Sequence, residues 1–205
     1  RSPTALAPAD VARFAIDETA TRLVFVDGVY APHLSMHHLP TAAVTATAGN
    51  LAAAAQSHAA MLVAHLGRVA PFRDSLFSAL NTAFLHDAAV IVAPREGSVA
   101  GAVHVLFIAT QPDVASHPRI LLVAGPGSVV TLVEDYVALC DSAYFTNSVV
   151  EIVVGANAKV EHVRVQRESG DAFHIGACAV SLAHAGHYHS VNVALGAKVS
   201  GLGFD

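Results

Sequence analysis

The 205-residue chain carries thirteen histidines, and the densest group, His184, His187 and His189, is where metal chemistry would first be sought. His187 and His189 lie two apart in a strand-like segment, so both side chains share one face, a spacing suited to metal ligation. A cupin-type centre follows such a His-x-His pair with a carboxylate a few residues on, but Ser190 to Gly196 contain neither Asp nor Glu. His187 and His189 therefore stand as the candidate metal ligands, against the plainer reading of solvent- or partner-facing histidines on an outer strand face. His174 and Cys178 also share a strand face, but at about 13 Å apart they cannot chelate one ion, and they read as structural. Gly125-Pro126-Gly127-Ser128 has no following Lys and leads into a strand, so it is a turn and not a phosphate loop. The carboxylates Glu134, Asp135, Glu151 and Glu161 show no pairing of the kind a β-helical polysaccharide enzyme needs. No catalytic and no cofactor-binding residue is assigned.

Hydrophobic residues make up 54% of the chain and charged residues 13%, against roughly 25% charged in an average soluble protein. So little charge implies extensive burial, or surface covered by partners. The net charge is −5 with no Lys/Arg run, which argues against nucleic acid as a partner. The two cysteines, Cys140 and Cys178, are too few for a disulfide framework and read as reduced thiols. The most apolar stretch, Leu51 to Leu66, is interrupted by Gln56, Ser57, His58 and His65 and is shorter than the ~20 residues of a membrane crossing. With no signal-peptide pattern at Arg1-Ser2-Pro3, a cytoplasmic location and no membrane are expected. The missing initial Met and the abrupt end at Phe204-Asp205 read as cut ends.

These residues must be positioned by regular elements. Arg22 to Tyr30 reads as a strand meeting a turn at Asp27-Gly28, and residues 31–49 as loop. A helix is expected from an Asn50 N-cap to about His65, and a second over 73–85, with Phe77, Leu80 and Phe84 forming its apolar stripe. From residue 88 onwards strand patterns dominate, which divides the chain into an N-terminal region, 1–87, and a β core, 88–205. Within the core a repeat emerges. Val92, Val123, Val154 and Leu182, spaced 31, 31 and 28 residues apart, each precede a small residue and a turn. Val129, Val160 and Tyr188 follow six on, then Leu132, Val163 and Val191, then Glu134, Val165 and Val193, and the first copy carries one extra residue in Pro94-Arg95-Glu96-Gly97. Strand–turn–strand units at constant offset imply a solenoid whose neighbours bury each other's apolar faces. The alternative is an antiparallel sandwich of hairpins. Asn157 is expected to supply an unusual turn conformation, Asn81 to satisfy backbone groups where the chain joins the core, and Arg119 to pair with Glu134 across a coil.

Three segments carry a more specific resemblance. Phe77-Ser78-Ala79-Leu80-Asn81-Thr82-Ala83-Phe84 with Asp87 resembles the helix that leads into the core of the SufB/SufD family. Pro118-Arg119 through Val123, then Gly127-Ser128 and Leu132-Val133-Glu134-Asp135-Tyr136, is similar to that family's first core coil, and Phe145 through Gln166 to the next. Arg22 to Tyr30 looks like the SufD branch rather than SufB. The resemblance spans roughly residues 20–205. It departs at Ala197-Lys198-Val199, where the family commonly has an Arg. It implies a mainly β chain with a right-handed parallel β-helix and short N-terminal helices. It also implies a non-catalytic scaffold subunit for iron–sulfur cluster assembly, partnered by a SufB-like subunit and a SufC-like ATPase, with a homodimer as an alternative assembly. No cofactor is expected on this chain, the cluster residing transiently on the whole complex. The family's functional His and Cys belong to later coils, so none is carried onto a residue here. The competing functions are a β-helical polysaccharide-active enzyme and a cupin-like metal-binding domain.

Overall fold

A computed structural model describes residues 6–16, 19–37, 47–73 and 75–205. The helices are α1 (Pro8–Ala12), α2 (Leu51–Ser57), α3 (Ala59–His65) and α4 (Leu76–Ala83). The strands, in chain order, are β1 (Thr19–Val26), β2 (Val29–Tyr30), β3 (Met36–His37), β4 (Thr47–Asn50), β5 (Ala89–Ala93), β6 (Ser98–Ala109) and β7 (Ala115–Ser116). They continue as β8 (Arg119–Ala124), β9 (Val129–Ala138), β10 (Phe145–Val154), β11 (Lys159–Arg167), β12 (Phe173–Leu182), β13 (His187–Ala194) and β14 (Val199–Phe204). Residues 38–46, the centre of the expected loop, lie outside the described set.

The strands form two sheets, β13-β11-β9-β6-β1-β2 and β14-β12-β10-β8-β5-β4. Each coil places strands in both, and every pairing from β5 onwards in the stack is parallel; only β2, β3 and β4 add antiparallel strands at the start. The chain is thus a β-solenoid of about four turns, and the antiparallel sandwich and the cupin, both built from antiparallel sheets, are ruled out. β13 and β14 end the two sheets with an edge that has no further strand among the described residues.

The coils turn from one sheet to the other through four residues each: 94–97, 125–128, 155–158 and 183–186. The third residue of every turn, Glu96, Gly127, Asn157 and Ala185, adopts a left-handed φ of 55°, 71°, 59° and 52°. The N–H groups of Glu96, Gly127 and Asn157 donate to the carbonyls of Pro126, Ala156 and His184 in the next turn, so the ladder runs unbroken round the corner. Asn157 fills the role its residue type suggested. Ala185 carries a Cβ where a left-handed residue costs roughly 1–2 kcal/mol. Ala185→Gly is therefore expected to stabilise the chain by about 0.5–1 kcal/mol, and Asn157→Val to destabilise it by about 1–2 kcal/mol, in urea titrations.

The register differs from the sequence reading by one residue in the first two copies. Ala93, Ala124, Val154 and Leu182 stack, with spacings of 31, 30 and 28. The run Ile120–Ala124 is apolar on both faces and gives no phase of its own, which allowed the slip. The extra length of the first copy is not in its turn. It is a bulge in β6, where Ser98 to Ala102 oppose Val129 to Thr131; Gly101, at φ 83°, absorbs it.

The single helix expected over residues 50–65 is two, broken at His58 (φ −136°, ψ 32°), whose ring meets the Thr47 hydroxyl at 2.8 Å. The Asn50 side chain caps α2 as expected. The helix expected over 73–85 spans 76–83, with its faces reversed. It buries Ser78 and Asn81 and leaves Phe77 and Phe84 exposed.

Between the sheets, side chains stack in columns. Phe25, Phe107 and Tyr136 pile ring on ring at centroid spacings of 5.2 and 5.1 Å. With Leu23, Ile91, Val105, Ile120, Leu122 and Leu132 they form a dry core in the earlier coils. The outer faces are covered by small clusters: α1 over Val24, Leu106 and Val137, and α2–α3 over Val90 and Leu121.

Candidate functional site

His187 and His189 lie on the outer face of β13, both exposed. The carboxylate missing downstream comes instead from the neighbouring coil. Glu161, paired in register with His189, places Oε2 2.7 Å from its Nδ1. Among the described residues no group of three His, Cys, Asp or Glu side chains is placed to hold a metal. The contact is an exposed ion pair, and His189→Ala is expected to change stability by less than about 1 kcal/mol in denaturant titration.

The chemically dense region is inside the solenoid. One inward column reads Leu23, Val105, Glu134, Arg164, Asn192, and its neighbour reads Val103, Leu132, His162, Ser190. The lumen is apolar in its early coils and turns ionic at β9–β11. Glu134 Oε1 lies 2.9 Å from Arg164 Nε, and its Oε2 3.3 Å from His162 Nε2, all three side chains at most 3% exposed. These are ion-pair contacts without the alignment of a hydrogen bond. Arg164 donates through Nη1 to Asn192 and through Nη2 to His174 Nε2 at 2.6 Å. Since Arg can only donate, His174 accepts at Nε2 and donates from Nδ1 to Glu168, 2.6 Å away. Glu168 also accepts from Thr146 and Gln166. His162 Nδ1 meets the Tyr188 hydroxyl at 2.8 Å, and that hydroxyl lies 3.6 Å from Cys178 Sγ. Gly176 makes the space: a Cβ there would come within 3.0 Å of Ser148 Oγ and 3.6 Å of the Arg164 guanidinium.

The electrostatics follow from this packing. Burial alone would lower the pKa of His162, but the Glu134 carboxylate and the Cys178 thiol outweigh it and raise it to about 9. His162 is thus an imidazolium at neutral pH. Burial alone would raise Glu168, yet the hydrogen bonds from His174, Gln166 and Thr146 hold it below the ordinary carboxylate range. Tyr136, wholly buried beside Glu134, is pushed well above the usual phenol value. The cluster can hold protons at fixed positions and lock the register of β9 to β13. Its charged members are buried between the sheets, while Asn192, on the end strand β13, is exposed.

A second polar group fixes the helical segment to the outside of the stack. Arg119 and Glu151 pair at 2.7 Å, both buried. Glu151 also accepts the N–H groups of Gly67, Val69 and Ala70. Arg119 Nη1 donates to Asn81 Oδ1, and Asn81 Nδ2 donates to the carbonyls of Pro118 and Asn147. Asn81 therefore does the backbone work expected of it. The expected Arg119–Glu134 pair does not form, because Arg119 points out of β8 while Glu134 points into the lumen of β9. His174 and Cys178 both face the lumen, His174 inside the polar cluster and Cys178 at its margin.

The members His162, Arg164 and Glu168 were not singled out by sequence reasoning, and Glu134 was given a different partner. The signal was available: once Asn157 fixes the turn, counting by twos from the next residue, Ala158, puts residues 160, 162, 164 and 166 inward.

Comparison with known proteins agrees with this architecture. Residues 107–204 match the family model described as SUF system FeS cluster assembly, SufBD core domain, and residues 1–105 match the SufBD protein N-terminal region. An iron–sulfur cluster assembly SufBD family protein of Synechocystis sp. is 36% identical over 191 residues, covering 88% of this chain and 41% of that protein. Protein ABCI7, chloroplastic, of Arabidopsis thaliana is 28% identical over 132 residues, covering 60% of this chain and 28% of the relative. The chain thus spans less than half the length of the relatives it matches. With two family models meeting end to end along a parallel solenoid, this chain belongs to the SufBD family of iron–sulfur cluster assembly proteins.

Proposed function

We propose that this chain serves as a SufD-type, non-catalytic scaffold subunit of an iron–sulfur cluster assembly complex. In that complex it works beside a SufB-like subunit and a SufC-like ATPase, in the cytoplasm, with the nascent cluster as cargo rather than resident cofactor. Family membership carries this reading, and the interior supports it: the buried ionisable groups Glu134, His162, Arg164, Glu168 and His174 are spent on each other between the two sheets. The SufD branch is favoured by Arg22 to Tyr30, the segment that resembles SufD more than SufB. Among the described residues no helix is long and apolar enough to cross a membrane. The polysaccharide-enzyme reading finds no support, since Glu134 is buried in the lumen and Glu151 under the 67–70 segment.

The test is co-expression of the affinity-tagged chain with SufB-like and SufC-like proteins from the same source. Elution of the SufB-like subunit at near-equal stoichiometry, with the ATPase retained through it, is expected. Elution of the chain alone would overturn the assignment.

A further inference from the structure

The Tyr136 hydroxyl has no hydrogen-bond partner among the described residues, although the side chain is only 1% exposed. A buried hydroxyl is costly in that state and ordinarily meets a protein group or an ordered water. Its ring is held against turning away. It stacks on Phe107 at 5.1 Å, meets the His174 ring edge-on at 4.6 Å, and has the Arg164 guanidinium 5.2 Å from its centroid. Ser148 Oγ, close by, gives its proton to His174 Nε2 3.0 Å away and does not reach Tyr136 in hydrogen-bond geometry.

Beside the ring lies a cavity of about 10 Å³, whose lining includes Tyr136, Thr146, Glu168, Ser116, Gly28 and Ala109. That is room for one water molecule and no more. The lining also supplies the partners. A carboxylate offers about four lone-pair sites. Glu168 spends one each on Thr146, Gln166 and His174, which leaves one over. The Thr146 hydroxyl donates to Glu168 and keeps its own lone pairs.

We propose that this cavity is the binding site of a single internal water, which accepts from the Tyr136 hydroxyl and donates to the Glu168 carboxylate. Thr146 and Ser116 complete the two to four partners that such a water needs. Charge decides between water and a cation. Glu134 and Glu168 are offset by Arg164 and the His162 imidazolium, and His174, accepting at Nε2, is neutral. The cluster sums to zero without a further ion, and a cation here would be an uncompensated buried charge. The water extends the polar cluster by one member, toward the corner that Gly28 and Ser116 line. The inference rests on the packing of the lumen and not on the scaffold assignment.

A high-resolution crystal structure of the 205-residue chain, with oxygen-17 relaxation dispersion of the solvent, tests it. The crystal should show one ordered water within hydrogen-bond distance of both Tyr136 Oη and a Glu168 carboxylate oxygen. Ala109→Val adds two methyl groups to the lining and should displace it, lowering the count of long-lived internal waters by one. Circular dichroism melting checks that this variant still unfolds cooperatively. A wild-type crystal whose cavity holds no ordered solvent would overturn the proposal, whether or not the variant folds. So would a direct Tyr136–Ser148 hydrogen bond that closes the cavity, an ion in place of the water, or a folded Ala109→Val with an unchanged count.

Discussion

Glu151→Ala is expected to lower the unfolding free energy by about 4 kcal/mol, the largest effect of any single substitution considered for this chain. One carboxylate accepts from the Arg119 guanidinium and from the main-chain N–H groups of Gly67, Val69 and Ala70. Removing it leaves a buried guanidinium with no counter-charge and strands three amides, each a cost of its own unless water reaches it. For a chain of this size the thermal midpoint should drop by roughly 10 °C. Replacing both partners, as in Arg119→Met/Glu151→Met, should recover part of the loss, because no unpaired charge then remains. Recovery should stay incomplete, since Asn81 and the 67–70 amides still lack their partner. Equilibrium urea unfolding of the three variants reads all of this. A Glu151→Ala loss below about 1 kcal/mol would mean that the helical segment is not anchored there.

The second large effect is on pH dependence. His162 titrates near 9 in the folded chain, against about 6.5 when unfolded. Between these values the folded state keeps a proton that the unfolded chain has released. The stabilisation is therefore fully present below about pH 6.5 and is lost as pH rises through about 9, an effect on the order of 3 kcal/mol. His162→Gln should flatten the stability profile over that window and lower stability most at its acid end. The difference between the two profiles isolates His162 from the other groups that titrate there. A wild-type profile with no His162-dependent slope between pH 6.5 and 9 would show that Glu134 does not hold an imidazolium in the lumen.

The solenoid was legible in the sequence because one corner of every coil crosses between sheets in four residues, with the left-handed residue at the same place. Asn157 and Asn81 were legible because their side chains suit few other jobs. What was lost is the phase. In β11 the apolar Val163 and Val165 face outward, and His162, Arg164 and Gln166 fill the lumen. Hydrophobic alternation names the buried face only where burial is apolar. Here the ionic groups satisfy one another across three coils, so the rule points to the wrong side. The same inversion governs α4, where Asn81 and Ser78 are buried and the apolar stripe is not. Arg119 was assigned the wrong partner for a related reason, since an arginine at the end of an all-apolar strand gives no hint of which face it takes.

These coils stack in parallel, in a register that places Lys159 beside His187 at the start of adjacent strands. Paired cysteines test it most directly. With Cys140→Ser removing the more accessible native thiol, Lys159→Cys/His187→Cys should form a disulfide rapidly under mild oxidation, because neighbouring rungs are about 4.8 Å apart, within disulfide reach. Lys159→Cys/Ala194→Cys should not, as those positions lie at opposite ends of β11 and β13. Cross-linking of the second pair with none of the first would mean that β11 and β13 run antiparallel, and would contradict the solenoid.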